Sequence, residues 1–149
     1  MKVSLRATYG IMAAVDLAMQ TGAAPIQAKS IARRQGIPAR FLEQVLHTMK
    51  KAGLISSQRG ALGGYVLSKK ASDLSVADVV EALDGPFLPP AGFNGHGPGR
   101  RASKSELLLG KVWDQVQEAE RHVLEAITIE ELAGQQRRLE EQRSLMYHI

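Results

Sequence analysis

The chain contains no cysteine. Disulfides and thiolate metal sites are therefore excluded, and cysteine spacing gives no clue to compartment. Aromatic residues are also scarce, with a single Trp, as befits a helical protein. No apolar run approaches the ~18 residues that a membrane span needs, and Met1-Lys-Val-Ser-Leu-Arg6 has no hydrophobic secretion core. A soluble cytoplasmic protein is expected. Paired carboxylates, a nucleophile elbow, a phosphate loop and metal-ligand spacing are all missing, and His47, His96, His122 and His148 fall on separate elements. Neither enzymatic activity nor a bound metal or cofactor is expected.

What is present is a segregated charge. Residues 1–70 hold eleven Lys and Arg against only Asp16 and Glu43, a net +9. Residues 71–149 hold eight basic and thirteen acidic side chains, a net −5. A basic head on an acidic rear is the footprint of a nucleic-acid-binding module joined to a partner module.

The stretch Ile26 to Leu67 organises the chain as a winged helix-turn-helix. Counting from Ala28, a small residue (Ala32) falls at position five, where two helices approach closely. A glycine (Gly36) falls at position nine, where a tight turn commonly needs positive φ. Ile37, Leu42 and Val45 then lock the second helix on the first, and Pro38 suits a helix's first turn because its missing N–H has no intrahelical role. From Pro38 to about Ala52, Phe41, Leu42, Val45, Leu46 and Met49 recur at helical spacing and should face the core. Ala39, Arg40, Glu43, Gln44, His47, Lys50 and Lys51 point away, and such a face can donate to base edges and phosphates in a major groove.

Leu54 to Leu67 reads as two short strands around a glycine-rich turn with Arg59 at its tip. Following a helix-turn-helix, this is a wing. Its three glycines are expected to let the backbone approach DNA, and Arg59 to enter a minor groove, where negative potential is focused.

Elsewhere, Ser4 or Thr8 should cap a first helix running to about Gln20. Its buried stripe includes Leu5, Tyr9, Met12, Ala13 and Leu17, and Gly22–Pro25 breaks it. Ser75-Val-Ala-Asp78 resembles a capping box opening a short helix that stops at Asp84-Gly85-Pro86. Phe87 to Ser103 has no periodicity and reads as a long surface loop, with His96 a solvated side chain. From Lys104 to about Ile127, Leu109, Val112/Trp113, Val116, Ala119/Glu120, Val123 and Ile127 recur every three or four residues. A helix of roughly 30 Å outgrows a small head, so the seam needs a partner, most economically a second copy. The alternative is a helix folded back over the head. Thr128-Ile-Glu-Glu131 should cap a further helix through Leu132, with a tail that frays toward Ile149.

At this point the chain resembles the IscR–NsrR–CymR family of bacterial winged-helix transcription regulators. The resemblance rests on Leu5-Arg-Ala-Thr-Tyr9-Gly, Ile31-Ala32, Gln35-Gly36-Ile37-Pro38 and Phe41-Leu42-Glu43-Gln44-Val45-Leu46. It continues through Lys51-Ala-Gly53-Leu54-Ile55, Arg59-Gly60, Gly63-Gly64-Tyr65, Val112-Trp113 and Ile127-Thr128-Ile129-Glu-Glu-Leu132. It implies a homodimer whose long helices cross, each head reading half of a near-palindromic operator, most simply as a repressor. Many members bind an iron–sulfur cluster through three cysteines in and after the loop before the long helix. Here Leu107 stands six residues before Trp113, where such members often have the last cysteine, and Gly110 takes the common histidine position. The chain is more similar to the cluster-free branch, whose members respond to small molecules or partner proteins.

The resulting reading is a mainly α protein with a small β-wing, a winged helix-turn-helix head plus a long dimerisation helix. Residues 1–84 form the head, 85–103 a flexible loop, and 104–149 the dimerisation helices and tail. The expected DNA-contacting residues are Lys2, Arg6, Lys29, Pro38, Ala39, Arg40, Glu43, Gln44, His47, Arg59 and Gly60. The expected dimer interface is Leu109, Val112, Trp113, Val116, Val123 and Ile127. Partners are double-stranded DNA and a second copy, with a small-molecule effector or partner protein as modulator. A winged-helix protein adaptor that does not read DNA is the rival reading.

Overall fold

A computed structural model describes residues 2–20, 24–87 and 101–148. Most of the expected surface loop, including His96, lies outside the described residues. Among those described, the order is α1 (Leu5–Met19), α2 (Ala28–Gln35), α3 (Ala39–Lys51), β1 (Ile55–Gln58), β2 (Gly64–Leu67), a 3-10 turn (Ala71–Asp73), α4 (Val76–Asp84), α5 (Lys104–Glu125) and α6 (Ile129–Tyr147). The fold is mainly helical with one two-stranded antiparallel sheet.

Ser4 caps α1, its hydroxyl accepting from the Ala7 N–H at 3.0 Å. The Ser4 backbone N–H donates to Asp84 at 3.0 Å, and its hydroxyl to the other carboxylate oxygen, so the start of α1 is fixed to the end of α4. Leu5, expected in the buried stripe, is exposed; Ala13 and Leu17 are buried as expected, joined on the inner face by Ala7, Gly10 and Ala14, with Tyr9 and Met12 half-buried. At Gly10 an added Cβ would lie 2.2 Å from Leu83 and 3.1 Å from Val79, so glycine sets how closely α4 approaches α1.

The helix-turn-helix forms as the spacing predicts. Gly36 ends α2 with φ 67°, and Ile37 is buried behind it. Pro38 sits one residue earlier than expected, as the N-cap of α3 with φ −57°. Leu42, Val45, Leu46 and Met49 are buried, while Phe41 is half-buried and meets Tyr9 edge to face at 5.4 Å. With Ile31, Leu74, Val79 and Ile129 they make one core, where each large apolar side chain contributes about 1.5–3 kcal/mol.

β1 and β2 pair from Ile55↔Leu67 to Gln58↔Gly64. Beyond this hairpin, Ile26 and Tyr65 exchange both backbone hydrogen bonds, at 2.9 and 2.8 Å, which roots the wing on the segment before α2. This changes the role expected of the wing glycines. An added Cβ on Gly64 would lie 2.4 Å from the Ile26 backbone, and one on Gly63 would lie 2.3 Å from the Gln58 carbonyl oxygen. Those two glycines accommodate the protein's own backbone. Only Gly60, at φ 111° with open space beside it, stands free at the turn.

Both halves of the capping box at Ser75 and Asp78 are present, and a second box opens α5 with Ser103 and Glu106. No residue of α5 is fully buried, yet its faces differ. Leu109, Val112, Val116, Ala119 and Val123, in steps of three and four, are all exposed. The opposite face meets the head, where Arg121 lies 3.6 Å from Glu81 and 5.7 Å over the Phe87 ring. Of the residues expected in the seam, Ile127 lies beyond the end of α5 and packs against the head's core.

The tail does not fray at Leu132 as expected. It continues as helix to Tyr147, which suits a segment dominated by Gln, Arg, Glu and Leu. Thr128 caps it by accepting from the Glu131 N–H at 3.1 Å. Its first turns belong to the head: Ile129 and Ala133 are buried, the Ile129 N–H donates to the Leu74 carbonyl at 2.8 Å, and Arg137 donates to the Ala18 carbonyl at 3.0 Å.

Candidate nucleic-acid interface

The outward face of α3 follows directly from its amphipathic spacing. With Leu42, Val45, Leu46 and Met49 held in the core, Arg40, Glu43, Gln44 and His47 are all exposed. Together with Thr48 they line one shallow depression. Thr48 was not singled out in the sequence, although it stands one turn after Gln44. Its hydroxyl donates to the Gln44 carbonyl at 3.2 Å and accepts from Arg6 at 3.4 Å. Arg6, from α1, is thereby held beside the α3 face, a placement that no local pattern announces.

Pro38 and Ala39 stand exposed at the start of α3. The helices of the head and rear differ in how they begin. Ser4, Ser75, Ser103 and Thr128 cap α1, α4, α5 and α6 with their hydroxyls, whereas Gln27 and Pro38 make no side-chain cap to α2 and α3. In α2 the Ser30 N–H is taken up by the Gln27 carbonyl at 3.0 Å, but no N-cap side chain closes the first turn of either helix, and a phosphate suits that position.

Lys29 is exposed in the first turn of α2. Just before it, the Gln27 amide donates to the Ala61 carbonyl at 3.4 Å, tying the wing turn to the start of α2. Arg59 and Gly60 are exposed in that turn. Lys2 is placed differently: it lines a cleft with Asp84, Phe87 and Glu120, away from the α3 depression.

Not every basic residue of the head is available to a partner. Arg34 is committed inward to Asp16, which is almost wholly buried, with contacts of 2.7 and 3.0 Å. The hydrogen bond to Asp16 raises the Arg34 pKa above its ordinary value, so the guanidinium stays charged at any working pH. The Gln35 amide donates to the same carboxylate at 2.9 Å.

Comparison with known proteins agrees with this architecture. The sequence pattern of the family described as "Rrf2: Iron-dependent Transcriptional regulator" matches residues 3–135. The HTH-type transcriptional regulator CymR of Bacillus subtilis (strain 168) is 32% identical over 134 residues, 90% of this chain and 91% of that protein. The solved structure of CymR, the global cysteine regulator of B. subtilis, superposes with a TM-score of 0.73 at 30% identity, covering 90% of this chain and 97% of that one. The structure of T. potens IscR gives 0.72 at 33% identity, covering 91% and 88%. The family description names iron, and the residues present do not fit a cysteine-ligated cluster. The chain has no thiolate to offer, and positions 107 and 110 are an exposed leucine and a glycine. Among the described residues, no helix is long and apolar enough to cross a membrane.

Proposed function

The chain belongs to the Rrf2 family of DNA-binding transcriptional regulators, which are not enzymes, and on that premise we propose that it acts as a homodimeric repressor without an iron–sulfur cluster. Each head takes one half of a near-palindromic operator. α3 lies in the major groove, Arg59 reaches the adjacent minor groove, and the N-termini of α2 and α3 receive phosphates. Arg6 and Lys29 add backbone contacts, whereas Lys2, in the cleft with Asp84 and Glu120, contributes only weak long-range attraction.

The observation that carries this reading is an exposed depression on α3 that gathers Arg40, Gln44 and His47, with Arg6 held beside it. Arg and Gln are the side chains whose paired donors and acceptors match guanine and adenine edges. A homodimer is supported by the exposed step of Leu109, Val112, Val116, Ala119 and Val123 along α5, on the side opposite the head. Such a stripe in water is disfavoured unless a second helix covers it, and a copy of the same helix matches it in length and pattern. Two heads joined this way can address major grooves one helical turn, about 34 Å, apart.

The test is selection of bound duplexes from a random-sequence pool, followed by gel shifts on the recovered sequence and a scrambled one over a salt series. The expected result is a recovered motif with twofold symmetry and a binding constant that falls with salt on both duplexes. Absence of any shift at low salt would leave the protein-adaptor reading in its place.

A further inference from the structure

A cavity of about 420 Å³ lies on the head between the end of α1, the root of the wing and the 3-10 turn. Leu17, Ala18, Ile26 and Leu67 supply apolar walls, and Gln20 and Tyr65 supply polar groups. Its size falls within the roughly 300–1,000 Å³ typical of small-molecule sites. No charged side chain lines it among the described residues.

Its walls belong to the parts that govern the DNA-facing surface. Ile26 and Tyr65 are the pair whose two backbone hydrogen bonds root the wing. Ala18 is the residue whose carbonyl receives Arg137 from α6. Asp16, one residue before Leu17, holds Arg34 and Gln35 at the end of α2. A molecule seated in this cavity touches the wing root, the α1–α6 tie and the neighbourhood of the helix-turn-helix brace at once.

We infer that this cavity is an effector site for a small, uncharged, mainly apolar molecule carrying one hydrogen-bonding group, whose occupancy alters how the wing engages DNA. The inference rests on the DNA-binding reading above. The chemistry of the walls selects the class. A carboxylate or ammonium would lose its hydration with no ionic partner in the cavity, whereas a ring or branched aliphatic group fills it and a hydroxyl or amide can pair with Gln20 or Tyr65. Because the occupant contacts Ile26 and Tyr65, it has different contacts in states where the wing root is seated or shifted, the condition for coupling two sites.

Phenol and benzoate are suitable probes, sharing a ring and differing in charge. In the full chain, phenol at about millimolar concentration should shift the methyl resonances of Leu17, Ile26 and Leu67 saturably, and benzoate should not. Ala71→Leu and Ala18→Leu each place bulk in the cavity from a different wall, and whichever variant keeps a folded methyl spectrum should lose the phenol shifts. On the selected duplex, saturating phenol should change the wild-type affinity by about five- to a hundredfold and leave that of the filled variant unmoved. Equal shifts with benzoate, shifts that persist in the filled variant, or a duplex affinity indifferent to phenol would each overturn the effector site. The methyl titration contains no DNA, so failure there leaves DNA binding intact. A protein that binds no duplex even without phenol overturns the DNA-binding reading, and the effector role with it.

Discussion

Arg34 on α2 grips the buried carboxylate of Asp16 on α1 through two hydrogen bonds, Nε to Oδ2 at 3.0 Å and a terminal nitrogen to Oδ1 at 2.7 Å. The pair fixes the first helix of the helix-turn-helix against the scaffold helix, and it removes one cation from the DNA-facing count. Arg34→Ala leaves Asp16 buried with only the Gln35 amide. The expected loss is about 1–3 kcal/mol, the scale of a charged hydrogen bond, and less than for a fully buried pair because part of the Arg34 side chain meets water. Urea unfolding should show a lower midpoint with an unchanged slope. The sign with pH follows from the raised Arg34 pKa. Its contribution is fully present below the ordinary arginine value and is lost only as pH climbs through the higher folded value.

The wing root makes a separate prediction about glycine. Gly64→Ala would drive a Cβ to 2.4 Å from the Ile26 backbone at a position whose φ is 150°. The clash is with main chain, which cannot rotate aside, so about 1–3 kcal/mol of strain is expected, with loss of the Ile26–Tyr65 hydrogen bonds. Amide hydrogen exchange should accelerate at Ile26 and Tyr65 while the α3 amides stay protected. Unchanged exchange at those two amides would show that the root relaxes without cost.

Val116 is the centre of the exposed α5 stripe. Val116→Asp would bury a carboxylate without a partner, at a cost of several kcal/mol if the seam is dry. Sedimentation should move from dimer toward monomer at micromolar concentration, and DNA binding should weaken with it. A wild-type protein that sediments as a monomer with α5 intact removes the proposed interface.

Protein purified without oxygen should lack the visible absorption of an iron–sulfur cluster. Stoichiometric iron and sulfide in such a preparation would mean that ligands other than thiolate hold one.

The legible parts of this fold are those whose cause is local. Gly36 at φ 67° and the alternating faces of α3 follow from residues within one or two turns, as does the Ser75–Asp78 box. The Ile26–Tyr65 pairing was not legible, because a one-residue strand has no period to detect. Nor was the Asp16–Arg34 pair, whose partners lie eighteen residues apart, although a carboxylate inside the apolar run Ala13–Met19 was a visible anomaly. Leu5 stands exposed because, at about 3.6 residues per turn, it projects away from the face that Ala7, Gly10, Ala14 and Leu17 turn inward. Charges of both signs after Leu132 read as a loose tail, yet those residue types are strong helix formers. In the candidate site, α3 supplied its own pattern, whereas Arg6 and Thr48 meet only through tertiary packing.

α3 and the wing should fail differently when mutated. Gln44 shares the α3 depression with Arg40 and His47, and it is exposed there. A Gln amide can pair bidentately with adenine, a contact worth ~1–3 kcal/mol of discrimination. Gln44→Ala should therefore lower affinity for the selected duplex by roughly ten- to a hundredfold and leave the scrambled duplex nearly unaffected. Arg59 stands exposed in the wing turn, and in the proposed complex it would act through phosphates and minor-groove potential. Arg59→Ala should weaken both duplexes and flatten the dependence of log affinity on log salt by up to about one unit. Binding isotherms at several salt concentrations on both duplexes separate the two roles. Equal weakening of both duplexes by Gln44→Ala would show that α3 positions the head without reading bases. If neither variant alters binding, the basic head serves a partner other than DNA.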